Sequence, residues 1–463
     1  MLIAAVIGSG MSFIDQTAVN VALPIMQRDL HADARSLQWV IEGYTLFLAS
    51  LILLGGALGD RYGRRLMFMI GLAIFALASL GCALAGSIVV VNAARAVQGV
   101  GAALAVPESL ALISANFSGA ARGRAIGTWS GFASATGAIG PVLGGWLAEH
   151  WSWRGVFLIN LPLAALAIAI CWLRVPESRD PDAPLRPDVV GPLLATGGLG
   201  ALTFGLVQAQ SGPIDARLLG LFALALVLAI AFVVVEHRTR APMIPLDLFR
   251  SRAFSGANIY TLFLYMALGG SLYFVPYLLI NVQHYTPVDA GAALLPFVLL
   301  NALLSRWAGG LMGRIGARVP LVVGAALVAC GMLAYARPGV GATNYWTTYF
   351  WAAVVLGLGT ACFVAPLTTT VFDCSPPQDS GVASGFNNAV ARSAMLFAIA
   401  VFGIVLVRVA PGAARLGAGD PSAYLHGFRA VMLASVALCA LAAVLAVVLI
   451  PGRPQRHIEP GHG

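Results

Sequence analysis

The chemistry available to this sequence rests on a handful of charges set inside long apolar runs: Asp15, Glu42, Arg95, Glu108 and Arg392. An ionisable group at mid-bilayer costs several kcal/mol, so it turns toward a partner or a water-filled path and marks a route for ions or substrate. Ser12, Asp15, Gln16 and Asn20 recur at spacings of three, four and eight, which predicts one polar stripe on a helix, lining a cavity. Two readings of Asp15 stand: a carboxyl for which protons and substrate compete, or a structural hydrogen bond between helices. Arg95 is expected to face protein or water, either helping a nearby carboxyl to release its proton or pairing structurally with a carbonyl or carboxylate.

Glu108 follows Arg95 by thirteen residues, about 140° around an ideal helix, so the two should not share a face unless the kink at Pro107 changes the phase. It stands as a second candidate for protons or a cationic substrate, against a structural carboxylate satisfied by a partner. Glu42 lies about one and a half turns into its run, shallow enough to reach outer headgroups. With Tyr44 and Thr45 it could equally line an outer vestibule. Asn258, Thr261 and Tyr265 share one helix face, and Ser384, Asn388 and Arg392 another. Both are predicted cavity walls, with interhelical packing as the alternative.

These residues need spanning helices to hold them. Of 463 residues 59% are hydrophobic and only 10% charged, with a mean hydropathy of +0.87, whereas a soluble chain has about a quarter of its residues charged. Fourteen apolar runs are long enough to span a bilayer, and the connections between them leave no room for a soluble domain. The predicted fold class is all-α integral membrane. The runs divide into a six-helix bundle at 1–174, a linker with two further helices at 175–252, a second six-helix bundle at 253–450 and a tail at 451–463. A cleaved signal peptide is rejected, because the first run is too long, lacks a basic start and carries Asp15 at mid-span.

The net charge of +8 comes from Arg alone, in short clusters between runs, so it reads as a topology signal and not as a nucleic-acid surface. With the N-terminus inside, 16 Arg fall on the inner side and 8 on the outer, and an even helix count then predicts that both termini are cytoplasmic. The six Cys have no paired spacing, and the seven His fall in loops, helix ends or the tail without metal-ligand spacing. With no Walker A sequence either, neither a membrane enzyme nor ATP-driven transport is favoured, and no metal or cofactor is expected.

The halves repeat. Gly56-Ala-Leu-Gly-Asp-Arg-Tyr-Gly-Arg-Arg65 aligns without gaps to Gly309-Gly-Leu-Met-Gly-Arg-Ile-Gly-Ala-Arg318. Duplicated bundles are common in transporters, with the substrate site near mid-membrane where they meet. In the first copy Gly56, Asp60, Arg61, Gly63, Arg64 and Arg65 could form a switchable gate at the membrane surface, or serve only as solvated topology charges.

At these residues the chain resembles the 14-helix drug:proton antiporters of the major facilitator superfamily (EmrB/QacA type), over essentially its whole length. Asp15-Gln-Thr-Ala-Val-Asn-Val-Ala-Leu-Pro24 is similar to the family's first-helix signature, and the 56–65 loop to the motif of the whole superfamily. Arg95-Ala-Val-Gln-Gly99 resembles the helix-4 motif whose Arg is implicated in proton transfer. Gly131 with Gly140-Pro141-Val-Leu-Gly144-Gly145 matches the helix-5 antiporter motif, and Trp151-Ser-Trp-Arg-Gly-Val-Phe-Leu-Ile-Asn-Leu-Pro162 adds to the match. Three positions depart: Gly313 stands where the first loop copy has Asp60, Met395 replaces a small residue and puts close helix packing in doubt, and Glu108 replaces a small or neutral one.

The resemblance implies two six-helix bundles plus two linker helices, rocking by alternating access and driven by the proton gradient without a cofactor. It implies export of drugs or other amphipathic compounds, with uptake symport and a dedicated metabolite exporter as the rivals. Internal carboxylates beside aromatic residues favour lipophilic cations or neutral amphipaths as substrate. The partners expected are that substrate, protons and lipid, without nucleic acid, for a monomer.

Overall fold

The computed structural model describes residues 1–117, 119–179, 188, 190–209, 215–239, 246–339, 344–374, 380–410 and 421–452. Within the helices, the side chains of 305–314, of Ser384 and of several positions between 119 and 138 lie outside the described residues, as do the surroundings of Gly131. Arg306, the loop residues Gly309 to Arg314 and most of the 451–463 tail therefore enter only as sequence.

Every regular element described is helical, and fourteen long helices follow one another. These are α1 (Leu2–Asp29), α2 (Ala34–Tyr62), α3 (Arg64–Leu84), α4 (Ile88–Asn116), α5 (Gly119–His150), α6 (Asn160–Arg174), α7 (Val190–Ala209), α8 (Ala216–Arg238), α9 (Arg252–Tyr277), α10 (Leu295–Ile315), α11 (Arg318–Tyr335), α12 (Phe350–Asp373), α13 (Ser380–Val409) and α14 (Pro421–Leu449). Among the described residues thirteen helical stretches are long and apolar enough to cross a membrane; α5, with 32 residues, completes the series. Starts are set by short polar caps that satisfy otherwise orphaned backbone amides. Asp33 accepts from the Ser36 amide at 2.9 Å, Asp215 from Leu218 at 2.9 Å and Ser251 from Phe254 at 3.3 Å.

The duplication seen in one loop extends to the packing. α2 and α3 pack on α4 and α1 on α5; eight helices later, α10 and α11 pack on α12 and α9 on α13. The turns between α2 and α3 and between α10 and α11 are pivoted on glycines aligned in the repeat: Gly63 at φ 123° and Gly316 at φ 76°, a region that side chains disfavour. The arginine closing each copy makes the same bond. Arg65 donates to the carbonyl of Val175, just past α6, at 3.0 Å, and Arg318 to the carbonyl of Ile450, just past α14, at 2.8 Å. α7 and α8 pack on each other, and α7 rests on α2 and α13, with Thr196 donating to the Ser50 hydroxyl at 2.9 Å.

Met395 does not open the packing of α13, as its bulk had implied. It sits over Gly269 of α9, so the small residue is supplied by the opposite helix and the close approach survives. Consecutive helices run antiparallel, giving the molecule an end where α1 stops, the Asp29 end, and an end where α2 stops, the Asp60 end. At the Asp29 end the halves meet backbone to backbone. Gly145 of α5 lies on Pro287 and Gly291 on Pro141, and the Val288 amide donates to Glu149 at 3.4 Å. α2 and α13 also touch, with the Leu53 side chain over Gly385.

Candidate functional site

At the middle of the N-terminal bundle, α1, α4 and α6 converge on Asp15, which is fully buried. Arg95 of α4 pairs with its Oδ2. Its Oδ1 accepts from Gln98 at 3.0 Å and from Asn160 of α6 at 2.9 Å. Gln98 and Asn160 both donate also to the Ser79 hydroxyl of α3, at 2.8 and 3.2 Å. Arg95 donates in addition to Gln98 Oε1 at 2.7 Å and to the Val40 carbonyl at 2.8 Å, and its guanidinium lies 4.3 Å from the centre of the Tyr44 ring. Burying an ion pair costs least when the remaining lone pairs and protons find partners, and here α2, α4 and α6 supply most of them, leaving Arg95 Nη2 without one among the described residues.

This corrects the cavity stripe. Asp15 faces the interior of its own bundle, and Ser12 is buried with it, while Gln16 and Asn20 are only half-buried. Asp15 sits about 100° around the helix from Gln16, so it occupies the far edge of the stripe and faces α4 and α6. Gln98, Asn160 and Ser79 were not singled out from the sequence, although Gln98 and Asn160 stand inside the 95–99 and 151–162 motifs. Their signal was a polar amide in an apolar helix, three residues after an arginine in one case.

Glu42 is fully buried, which removes the headgroup reading; neither carboxyl oxygen has a hydrogen-bond partner among the described residues. It lies within electrostatic range of Tyr273 of α9, on the other half, toward the Asp29 end. Glu108 is likewise buried, with both oxygens unpartnered, and points at Gly59 beside the loop, away from Arg95. At the loop, Asp60 accepts from Arg64 at 2.6 and 2.9 Å. Glu177, absent from the predicted set, accepts from the amides of Arg65 and Leu66 at 2.9 and 3.1 Å and so caps α3. Arg61 is half-buried, and Gly56 lies beside Pro107. The helix-5 residues are used for close approach: Gly140 and Gly144 pack on Thr17 and Ala18 of α1, next to Pro141, while Gly145 crosses to the other half.

In the C-terminal half, Asn387 of α13 donates to Asn258 at 3.0 Å and to Thr261 at 2.7 Å, so these two α9 side chains tie helices together. Asn387 was passed over in favour of its neighbour Asn388, which is exposed. Arg392, one turn along the same face, is partly exposed and lies within electrostatic range of Tyr44 of α2 and Tyr265 of α9. Tyr265 stands edge-on to Phe363, with centroids 5.9 Å apart. Asn388 and Arg392 thus face a crevice between the halves.

Two duplicated helical bundles, a buried charge pair at mid-span and a crevice between the halves define a membrane transporter and not an enzyme. The model of the Major Facilitator Superfamily matches residues 5–400, and the chain belongs to that superfamily. It is 37% identical over 413 residues to the multidrug resistance protein Stp of Mycobacterium tuberculosis, covering 88% of this chain and 75% of that one. It is 35% identical over 460 residues to a puromycin resistance protein of Streptomyces alboniger, covering 97% and 90%. A tetracenomycin C resistance and export protein of Streptomyces glaucescens is 34% identical over 410 residues, covering 88% and 75%. A solved peptide transporter with bound sulfate shares the fold, with a TM-score of 0.70 at 15% identity over 96% of this chain and 93% of its own.

Proposed function

We propose that this transporter exports amphipathic small molecules, antibiotics among them, in exchange for protons by alternating access. The observation that carries the reading is the Asp15 network, in which donors from Arg95, Gln98 and Asn160 occupy both carboxyl oxygens. A proton arriving at Asp15 weakens the oxygens these donors bind, and neutralising the carboxyl leaves Arg95 without its charge partner. A site whose two protonation states need different partners is a bistable element, as coupling requires. The kinship with resistance and export proteins supports outward transport of drug-like compounds.

In this reading the Arg-rich Asp60 end faces the cytoplasm, with both termini there, in a bacterial plasma membrane. The protein works as a monomer among lipids and needs no cofactor. The contacts between the halves at the Asp29 end hold the outer side shut; Glu42 lies in that junction, and Glu108 lies behind the inner loop. Both carboxyls are buried without partners, so they are further stations for the proton. The Asp60–Arg64 pair and the Glu177 cap hold the loop that the inner gate would release.

The test is purified wild type and Asp15→Asn in liposomes with an internal pH dye and an imposed pH gradient, challenged with a panel of drugs and nutrients. Drug-dependent proton movement opposite to the drug, lost in Asp15→Asn, is expected. Proton movement in the same direction as the compound, or full coupling in the variant, overturns the reading.

A further inference from the structure

The two halves hold charges of different kinds at membrane depth. The C-terminal bundle has no acidic residue inside its apolar runs; Asp289, Asp373, Asp379 and Asp420 lie at helix ends or in loops, while Arg306 and Arg392 stand within the runs. In the N-terminal bundle the acids at membrane depth are withdrawn: Asp15, Glu42 and Glu108 are each fully buried. Asp15 is moreover occupied by Arg95, Gln98 and Asn160. No described carboxylate therefore faces the crevice.

Arg392 does face it. The residue is partly exposed, its Nε is buried without a hydrogen-bond partner, and no ion pair forms to it among the described residues. A permanent cation held away from bulk water without a counter-ion is costly, and a planar fork of five donors fits a carboxylate or another acidic oxygen pair. Asn388 lies one turn away on the same face, with the rings of Tyr44 and Tyr265 nearby.

We infer that the crevice selects amphipathic aromatic acids, with Arg392 taking the anionic group and Tyr265 the aromatic body. This rests on the export reading and replaces the lipophilic cation that the internal carboxylates had implied. Tyr44 also lies against Arg95, so the substrate's charge binds one ring away from the proton site.

The experiment measures binding to the purified full chain in detergent with three fluorescent probes on one ring system: anthracene-9-carboxylate, its methyl ester and 9-(aminomethyl)anthracene. A charge-assisted contact of about 1.5–3 kcal/mol predicts that the acid binds about tenfold to a hundredfold tighter than the ester. The amine should bind weakest. Arg392→Gln should erase the preference for the acid while leaving the ester's affinity unchanged, and Arg392→Lys should restore it in part. Equal binding of acid and ester, preference for the amine, binding of none, or an unchanged acid preference in Arg392→Gln would each overturn the inference. The wild-type panel is decisive even if a variant fails to fold, and it needs no proton gradient, so it fails or succeeds separately from proton coupling.

Discussion

The N-terminal and C-terminal bundles share one architecture and treat charge in opposite ways. In the first, Asp15 and Arg95 are buried together, with hydrogen bonds from α2, α4 and α6 around them. In the second, the described mid-membrane charge is Arg392, facing the crevice without an ion pair. The loops repeat the contrast. Both keep the positive-φ glycine and the arginine clasp on the carbonyl after the sixth helix of their half. The first alone adds the Asp60–Arg64 pair and the Glu177 cap; Gly313, Ala317 and Gly452 stand at the matching positions. Duplication supplied the scaffold twice, and one copy then specialised in internal pairing while the other left a charge open to cargo.

The largest effect expected tests the paired half. Arg95→Ala strands Asp15 in the interior, and breaking a buried pair on one side costs about 3–5 kcal/mol. The apparent melting temperature in detergent should fall steeply, with substrate-driven proton flux lost. Next come the loops: Gly63→Ala, at φ 123°, should cost about 1–3 kcal/mol, and Gly316→Ala, at φ 76° in the left-handed helical region, about 1 kcal/mol. Melting shifts in detergent measure both, and the larger is expected at Gly63, where an added methyl would also meet the Glu177 carboxyl that only the first copy has. Glu177→Gln weakens the α3 cap by about 0.5–2 kcal/mol and should change turnover in liposomes more than ligand affinity. The smallest stability effect is expected at Arg392→Ala, since removing an unpaired cation relieves a cost; its melting temperature should match or exceed wild type. A loss at Arg392 as deep as at Arg95 would break the comparison outright.

Most of the architecture was legible because a bilayer forces apolar length onto every span, and the loop repeat exposed the duplication. The special status of Asp15, Arg95 and the loop could likewise be read as charges in costly places. Their partners could not. Asp15 and Arg95 are 80 positions apart, and Asn160 reaches Asp15 from 145 positions away, so only packing reveals that these groups meet. Glu42 was misjudged because depth was measured from its own helix end, whereas the packed helices bury it fully, within electrostatic range of Tyr273 on the other half. Asn387 and Asn388 are adjacent but about 100° apart on the helix, and nothing local distinguishes the helix-tying amide from the exposed one.

The glycine seam between α5 and the short helical segment Pro287–Ala292 ahead of α10 has a practical consequence. Because backbone rests on backbone there, a methyl added at Gly145 would meet the Pro287 carbonyl carbon at 2.7 Å, with no flexible side chain to yield. Gly145→Ala and Gly145→Val then act as a graded wedge, destabilising only the state in which that end is closed. About 5.5 kcal/mol moves a two-state balance from 1:99 to 99:1, so a short series of side-chain sizes becomes a dial for trapping the opposite conformation. A packing detail in one helix thereby offers a chemical handle on the whole transport cycle.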